Sequence, residues 1–556
     1  MKFFKTSLKN ISYIRNIVRY YRNLFGQPVW NLDRSVINEN TESGKIILFC
    51  IGGGSYTSGT FVESVLAQSI RLRGGIPHVL ICDQVLPACF QTDIDWDRNE
   101  EKFAKNGPAY LMCQTCFRPA ISMYKKIGCE VHKMSELFSI NEKKEIEMLV
   151  KSLPLYQLKN FEYKSIPVGE HAYAGALRFY AKAELDDKFH EPILRRYLTA
   201  AILTLIVVEN LSKKLKIKHA VIHHGIYVPQ GVFAETFKKL NIKFTTWHVA
   251  YRKSSFIFSH QDTYHKTLMN ESNLNWEGIN WNSKLDKKIV DYLNSRWYGT
   301  NDWIHFHKNT IFDKKIFFKN LNFDTNKPYV LLLTNVMWDA QLHYPNNAFK
   351  NMLEWIMVTI EYFIKRSDIQ LLIRVHPAEI TGTLPSRQRV KNEILKKYPN
   401  LPNNIFIIDS DNSISTYVLA EDCNSVIIYG TKTGVELAAR GVPVIVAGEA
   451  WIRNKGISID VTSPKDYIDK LNELPFNTKL NDELIKRARM YAYHYFFRRM
   501  IPLPFLLNSK SIKPFDMSLI SLKSLDEGNF RGLDIICNGI LNGSEYIYED
   551  EKINIL

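Results

Sequence analysis

Short apolar runs of strand length recur along the chain, separated by stretches in which apolar positions follow the 3.6-residue period of a helix. The predicted strands are 45–51, 78–82, 220–223 and 244–248 in the first half, and 329–334, 370–375, 405–408, 425–429 and 442–446 in the second. The runs of the second half are apolar throughout, which is typical of strands buried on both faces of a parallel sheet. Strands alternating with helices form βαβ units, so the sequence predicts an α/β protein with two Rossmann-like domains.

The segments outside these two series complete the predicted organisation. Residues 2–25 have apolar positions at helical spacing, six Lys and Arg, and no acidic residue. Such a helix can lie on an anionic membrane surface, or it can pack on the protein with its basic face in solvent. The predicted divisions are 1–43 for this helix and a linker, 44–270 for the first domain, 271–325 for an interdomain region, 326–490 for the second domain and 491–556 for a C-terminal helical extension.

Composition narrows the class of protein. The chain has 556 residues, is 46% hydrophobic and carries a net charge of +15, which favours two globular domains and anionic partners. It has no zinc-finger, RNP or helix-turn-helix signature, so we expect no nucleic-acid partner. It also lacks a secretory signal and an apolar run of the roughly 18 residues that span a bilayer. We therefore expect a cytoplasmic protein, either free or peripheral on the inner face of the plasma membrane.

Four of the eight cysteines fall in one stretch, 82–116. Cys82, Cys89, Cys113 and Cys116 have the spacing C-x6-C-x23-C-x2-C. Four thiolates that include one C-x2-C pair fit a structural zinc site or an iron–sulfur cluster. The alternative is four unrelated thiols kept reduced in the cytoplasm. The sequence thus predicts a Cys-rich insertion in the first domain that holds a metal.

A glycine-rich loop, 52–59, follows the first predicted strand and precedes a helix. It lacks the Lys-Ser/Thr of a P-loop and does not match G-x-G-x-x-G. Its backbone amides can still hold an anion or a sugar hydroxyl at the start of the helix. The alternative is a tight turn without a ligand.

Polar and basic residues follow several predicted strands of the second domain. Because the carboxyl ends of parallel strands meet at one edge, we expect these side chains to form a phosphate site, with the helix after 429 adding its N-terminus. Glu436, one turn into that helix, is a candidate ligand for a ribose or sugar hydroxyl. An ordinary loop with an N-capping Thr is the alternative. The candidates are Arg374, His376, Thr431, Lys432, Thr433, Glu436, Arg453 and Lys455.

Three stretches of the second domain, 335–340, 374–379 and 431–456, together resemble the bacterial capsule polysaccharide biosynthesis glycosyltransferases. In the first domain only 52–59 and 223–225 are similar. The resemblance implies a GT-B fold, with two Rossmann-like domains facing a cleft. It also implies a nucleotide-sugar donor on the second domain and a glycan or lipid-linked acceptor on the first.

The resemblance assigns roles to individual residues. It implies that His376 and the turn at Thr431 and Thr433 contact the donor phosphate, with Asn335 and Glu379 in the same site. It directs Gly53, Gly54 and Ser55 towards the acceptor. Many relatives have adjacent hydroxyl residues where this chain has Thr431-Lys432-Thr433, which leaves the nucleotide open, with CMP or UDP favoured.

Catalysis requires a group that takes the proton of the acceptor hydroxyl. Asp339 and His224 each follow a predicted strand and are the candidates; a capping Asp and a core His are the alternatives. The predicted function is transfer of a sugar from a nucleotide donor to a polysaccharide or lipid-linked acceptor in capsule or surface polysaccharide biosynthesis. The alternatives are a teichoic-acid-type CDP-polyol phosphotransferase, a nucleotide-sugar epimerase and a non-catalytic scaffold.

Overall fold

The computed structural model describes residues 12–26, 44–304, 310–339, 345–509, 513–518 and 521–553. They form two compact units. Unit 1 comprises Met1–Phe179, Leu185–Tyr264 and Met500–Tyr548, and unit 2 comprises Tyr180–Glu184, His265–Arg499 and Glu549–Leu556. The predicted linker and the first residues of the predicted N-terminal helix lie outside the described residues.

The elements alternate along the chain as the hydrophobic pattern predicts. The strands are β1 (Ile46–Ile51), β2 (Ile76–Ile81), β3 (Glu130–Lys133), β4 (Ile217–His223), β5 (Lys243–Val249), β6 (Ser255–His260), β7 (Tyr329–Leu333), β8 (Gln370–Arg374), β9 (Ile405–Ile408), β10 (Ser425–Ile428), β11 (Val444–Val446), β12 (Ile459–Asp460), β13 (Ile501–Pro502), β14 (Leu506–Asn508) and β15 (Phe515–Met517). The α-helices are α1 (Ser12–Phe25), α2 (Thr57–Leu72), α3 (Glu100–Asn106), α4 (Tyr110–Lys126), α5 (Ile140–Ser152), α6 (Leu155–Leu158), α7 (Val168–Tyr180), α8 (His190–Lys214), α9 (Gln230–Lys239), α10 (Tyr264–Asn270), α11 (Leu274–Glu277), α12 (Ser283–Ser295), α13 (Lys314–Asn320), α14 (Met352–Ile364), α15 (Ala378–Thr381), α16 (Val390–Lys397), α17 (Thr416–Ala420), α18 (Thr433–Ala438), α19 (Pro464–Asn472), α20 (Asp482–Tyr493) and α21 (Arg531–Asn542).

Unit 1 is built on a seven-stranded sheet with the order β13-β6-β5-β4-β1-β2-β3. Strands β3, β2, β1, β4 and β5 are parallel, and β6 and β13 add an antiparallel edge. Strand β1 is almost completely buried, since helices cover both faces of its sheet. The strand order reverses between β1 and β4, and ligands of open α/β sheets bind at such a switch point.

Unit 2 contains a six-stranded, fully parallel sheet with the order β12-β11-β10-β7-β8-β9. Counted from its own first strand, β7, this is the order 6-5-4-1-2-3 of the dinucleotide-binding fold, with the switch point between β7 and β10. One apolar core underlies the sheet, with the fully buried Trp355 among its largest side chains. The prediction of an α/β protein with two Rossmann-like domains is confirmed.

The units divide the chain differently from the predicted domains. The stretch predicted as an interdomain region carries α11, α12 and α13 and belongs to unit 2. The predicted C-terminal extension is shared, because most of it returns to unit 1, where β13 pairs with β6. The return of the chain to unit 1 explains why the predicted bounds differ from the units. The amino-acid composition of two distant segments does not reveal that they pair in one sheet.

The N-terminal helix α1 rests on α4 of unit 1, where the amide of Asn23 donates a 2.9 Å hydrogen bond to the carbonyl of Thr115. In contrast to Asn23, three apolar side chains of this helix are exposed to solvent. Val18, Tyr21 and Phe25 are 60%, 51% and 56% exposed. Within the described residues, no helix combines the length and the apolar character that a bilayer crossing requires.

Candidate functional site

The second-unit site lies at the switch point of unit 2, where Asn335 follows β7 and Gly430 follows β10. A Cβ placed on Gly430 would lie 3.9 Å from both the oxygen and the nitrogen of the Asn335 amide, so that amide faces the backbone beyond β10. The Asn335 Oδ1 atom is buried and accepts no hydrogen bond from the residues that the structure describes. A buried acceptor of this kind is costly unless a ligand or water pairs with it.

His376 reaches the same edge from the end of the neighbouring strand, β8. Its backbone N–H donates to Thr334 Oγ1 at 3.0 Å, and its Nδ1 accepts from the N–H of Ala378 at 3.0 Å. Because Nδ1 acts as an acceptor, the neutral ring carries its proton on Nε2. The ring is therefore oriented as a hydrogen-bond donor.

The turn after β10 brings two hydroxyls together, with Thr431 Oγ1 and Thr433 Oγ1 3.2 Å apart. Helix α18, which begins at Thr433, is only six residues long. So short a helix sums few peptide dipoles, and any anion here would depend on the hydroxyls and backbone amides rather than on a macrodipole. The predicted contribution from a helix N-terminus is correspondingly reduced.

Three of the predicted phosphate-binding cations instead hold loops of unit 2 in place. The Arg374 guanidinium donates to the carbonyls of Asp409 at 2.7 Å and Asn412 at 2.8 Å, and burial lowers its pKa to about 10. Arg453 donates to two backbone carbonyls, and Lys455 Nζ to two others, at 2.8–3.2 Å. All three side chains are buried. All three cations thus have internal partners, and their role in a phosphate site stays a prediction.

The two predicted donor-binding acids also have internal partners. The Glu436 carboxylate, 1% exposed, meets Lys432 Nζ at 2.8 Å and Arg296 Nε at 3.0 Å. Burial acts to raise the pKa of Glu436, but the attraction of the two cations outweighs it and lowers the pKa to about 2. Glu379 accepts from the Val390 N–H at 2.9 Å and thereby holds the start of α16. Glu379, Lys432 and Glu436 thus have structural partners, and their contacts with the donor stay predictions.

Asp339, the first candidate base, lies in an exposed turn six residues beyond the end of β7. Its backbone N–H bonds to the carbonyl of Val336 at 3.3 Å. The residues that follow it, 340–344, lie outside the described part of the chain. Its catalytic role stays a prediction.

The first-unit site occupies the switch point of unit 1, where the loop Gly52–Ser55 follows β1. The loop packs so closely against other residues that Gly52 and Gly53 leave no room for a side chain. A Cβ on Gly52 would lie 2.5 Å from the side-chain nitrogen of Gln230, and one on Gly53 would lie 2.5 Å from Gln91 Cγ. Ser55 Oγ in turn donates to Gln91 Oε1 at 2.7 Å. The loop is a packed element rather than a tight turn in open solvent.

Three histidines gather beside this loop, at the ends of β4 and β5. The ring centroid of His223 lies 4.5 Å from that of Tyr56, 5.8 Å from that of His224 and 5.3 Å from that of His248. His224 has φ of +66°, a left-handed conformation that a residue with a side chain adopts at a cost of about 1–3 kcal/mol. Such strain is concentrated at functional sites.

His223 and Gln230 present unpaired polar atoms to this site. Neither ring nitrogen of His223, nor Gln230 Oε1, has a hydrogen-bond partner within the described part of the chain. Both side chains are at most 3% exposed, and burial holds the pKa of His223 well below its usual range. Sequence reasoning singled out His224 but missed His223, His248 and Gln230. The recurrence of His directly at two neighbouring strand ends was the signal that could have found the first two.

The four-cysteine site is not formed. Of the residues described, which include all four cysteines, no three sulfur atoms lie within the 4.8 Å that a shared metal requires. Cys113 and Cys116 are one turn apart on α4, and Cys116 Sγ accepts from the Ser55 N–H at 3.3 Å. Burial raises the pKa of the Cys82 thiol to about 11. The C-x2-C spacing here is helix periodicity, and the structure does not support the prediction of a zinc or iron–sulfur site at these cysteines.

One segment of the chain matches a model of a known protein family. Residues 257–484 match the family model described as capsule polysaccharide biosynthesis protein. This segment is therefore similar to the proteins of that family. It contains Asn335, His376, Thr431 and Thr433, so the whole second-unit site falls inside it, whereas the histidines of the first-unit site precede it.

The solved structures that are similar to this chain differ strongly from it in sequence. A β-Kdo 2,4-transferase, KpsC, of Thermosulfurimonas dismutans is 11% identical, with 49% of this chain and 79% of that chain covered and a TM-score of 0.32. A glycosyltransferase of Rickettsia africae is 14% identical over 81% and 93% of the two chains, with a TM-score of 0.26. A UDP-GlcNAc 2-epimerase of Neisseria meningitidis is 11% identical over 81% and 97%, with a TM-score of 0.25. No curated protein sequence matches.

Proposed function

We propose that this protein is a glycosyltransferase of capsule polysaccharide biosynthesis, which moves a sugar from a nucleotide donor to a polysaccharide or lipid-linked acceptor. The observation that carries the proposal is the second-unit site. Within the segment assigned to the family, a buried and unpaired Asn335 Oδ1 lies at the switch point of a dinucleotide-type sheet. Nucleotides bind at this position in such sheets.

The donor phosphates would be bound here by neutral groups. His376 presents an Nε2–H, and Thr431 and Thr433 present hydroxyls 3.2 Å apart. Lys432 supports this geometry indirectly. It pairs with Glu436 across the first turn of α18, and this ion pair holds the threonine turn in place. Preorganised neutral donors stabilise a leaving nucleoside phosphate when the site excludes water.

The acceptor would bind at the first-unit site. A sugar hydroxyl both donates and accepts hydrogen bonds, and so matches the neutral His223 ring and the Gln230 amide, whose buried atoms lack partners in the described chain. His224 is the candidate for the base that takes the acceptor proton, since its ring lies beside that of His223, with the two ring centroids 5.8 Å apart. Gly53, Gly54 and Ser55 would supply backbone and hydroxyl contacts.

The helix α1 would attach the protein to an anionic membrane, where lipid-linked acceptors reside. Its exposed apolar residues lie three to four positions apart on one side, at Val18, Tyr21 and Phe25. Arg22 adds a positive charge in the same turn, and the sequence before it has basic residues but no acidic ones. An exposed apolar face with flanking cations is the pattern of an interfacial helix.

The test is ligand-induced thermal stabilisation by CMP, CDP, UDP and GDP. A nucleotide at 100 times its dissociation constant should add about 2.7 kcal/mol to the folded state. Asn335→Ala should abolish the shift, whereas Asn326→Ala, at an exposed position of the same unit, should retain it. A shift that persists unchanged in Asn335→Ala would overturn the assignment of the donor site.

The nucleotide that stabilises the protein then indicates which nucleotide sugar to use as the donor in an assay of sugar transfer. Sugar should pass from the matching nucleotide sugar to a glycan or lipid-linked acceptor. Product formed without acceptor would favour an epimerase, and transfer of a phosphopolyol from a CDP donor would favour the teichoic-acid-type alternative.

A further inference from the structure

Three side chains with metal-binding chemistry lie together on the sheet of unit 1, away from its switch point. His78 is on β2, and Glu130 and His132 are on the neighbouring strand β3. In the register of the two parallel strands, His78 pairs with Glu130 and Leu80 pairs with His132. Because successive residues of a strand alternate between faces, Glu130 and His132 point to one side of the sheet.

The distances between the three groups suit a shared metal ion. His78 Nδ1 and His132 Nε2 are 2.9 Å apart, and each lies 3.7 Å from an oxygen of Glu130. In this part of the chain, these three ligand atoms are the group that falls within 4.8 Å of one another. With bonds of about 2.0–2.1 Å, two ligand atoms of one metal lie roughly 3 to 3.4 Å apart. To complete the triangle, the two ring nitrogens would move apart by a few tenths of an ångström and the exposed Glu130 would turn towards them.

The protonation states also suit a metal. Burial lowers the pKa of His78 and of His132, and this disfavours the charged rings, which cannot bind a metal. Each can then hold its one proton on the nitrogen that faces away and offer a lone pair at the nitrogen that faces its neighbour. Glu136 and Lys214 lie close enough to influence His132 and contribute one charge of each sign.

We propose that His78, Glu130 and His132 bind a divalent first-row transition metal such as Zn²⁺. Two imidazoles and one carboxylate are a ligand set for such ions, and soft thiolates are not needed. Strand β3 is only four residues long and forms the edge of its sheet. A metal that links β2 to β3 would therefore fasten a short edge strand to its only neighbour in the sheet. This site is independent of the proposed transferase activity.

The experiment is titration of chelator-treated, full-length protein with ZnCl₂ by calorimetry, with Co²⁺ absorption as a second readout. We expect one site whose affinity falls at least about tenfold in Glu130→Gln and in His132→Gln, since even loss of an outer-shell partner costs roughly 10–100-fold. Glu130 is exposed, so its replacement leaves folding undisturbed. The control is His190→Gln. His190 begins α8, and its ring forms a 2.6 Å hydrogen bond with the carbonyl of Asp187.

The cobalt spectrum separates this site from binding by cysteine. A complex of nitrogen and oxygen ligands gives d–d bands without the thiolate charge-transfer band that Cys ligation produces. Zinc affinity unchanged in both variants, or a thiolate band lost in Cys113→Ser, would overturn the proposal. His78 and His132 would then be a hydrogen-bonded pair of neutral rings.

Discussion

Replacing Glu63 with Gln should remove much of the pH dependence of the stability of this protein. Glu63 is 2% exposed on α2, and its Oε1 accepts a 3.2 Å hydrogen bond from Trp247 Nε1. Burial raises its pKa to about 8, against an ordinary value of 4.5. Near neutral pH the folded protein therefore holds this carboxyl protonated, whereas the unfolded chain releases the proton.

The sign and the size follow from this difference in proton binding. A raised folded pKa contributes stability that is fully present below the unfolded pKa and is lost as pH rises towards the folded pKa. Between about pH 4.5 and 8 the free energy of unfolding should fall, at 1.36 kcal/mol per pKa unit, by an upper limit of about 5 kcal/mol. Gln keeps the acceptor for Trp247 and cannot ionise, so the variant should escape this loss.

The assay is urea unfolding of both proteins at pH 5, 7 and 9, followed by tryptophan fluorescence. The difference between variant and wild type cancels the other titrating groups and should grow in favour of Glu63→Gln by several kcal/mol from pH 5 to 9. Glu101→Gln, at an exposed position on α3, is the control and should show no such trend. A flat difference for Glu63→Gln would refute the reasoning, because it would mean that the buried carboxylate is stabilised when charged.

Other predictions concern the ion network, the helix and the cysteines. Glu436→Gln should destabilise the protein by about 3–5 kcal/mol in urea unfolding, because the buried Arg296 and the half-buried Lys432 lose this carboxylate partner. A loss under about 1 kcal/mol would contradict this. Replacing Tyr21 and Phe25 together with Ser should release the protein from anionic vesicles in a flotation assay, and equal binding by the double variant would exclude α1 as the attachment. Cys113→Ser should leave the zinc content unchanged by elemental analysis, and zinc lost in this variant would restore the four-thiolate site.

The fold could be predicted where burial dictates the residue type. Strand β9 has the predicted bounds, and β7, β8 and β10 each end one residue before them, because strands covered on both faces must be apolar throughout. The edge strand β3, with the sequence Glu-Val-His-Lys, carries no such pattern and was missed. Strand β6 was missed although it is apolar, since it directly follows β5 and no helical stretch separates the two.

The candidate site was predictable in position but not in detail. The rule that ligands bind at strand ends placed His376 at the edge of the second sheet, and the family resemblance added Asn335. The rule also collected Arg374 and Lys455, whose partners are backbone carbonyls. A carbonyl partner comes from the path of a distant loop, and nothing in the residue types reveals it. Charge at a strand end is therefore weaker evidence for a ligand than an unpaired polar atom.

The pairing of β13 with β6 bears on how the chain is made. Strand β6 ends at His260, and its partner begins at Ile501. At about 5–20 residues per second, synthesis of the intervening stretch takes roughly 10 to 50 s. During that time an apolar strand edge of the nascent protein is uncovered, and such edges invite pairing with other chains. The ribosome thus makes His265–Arg499, which is most of unit 2, before β13 can complete the sheet of unit 1. We expect the protein to depend most on chaperones during this interval.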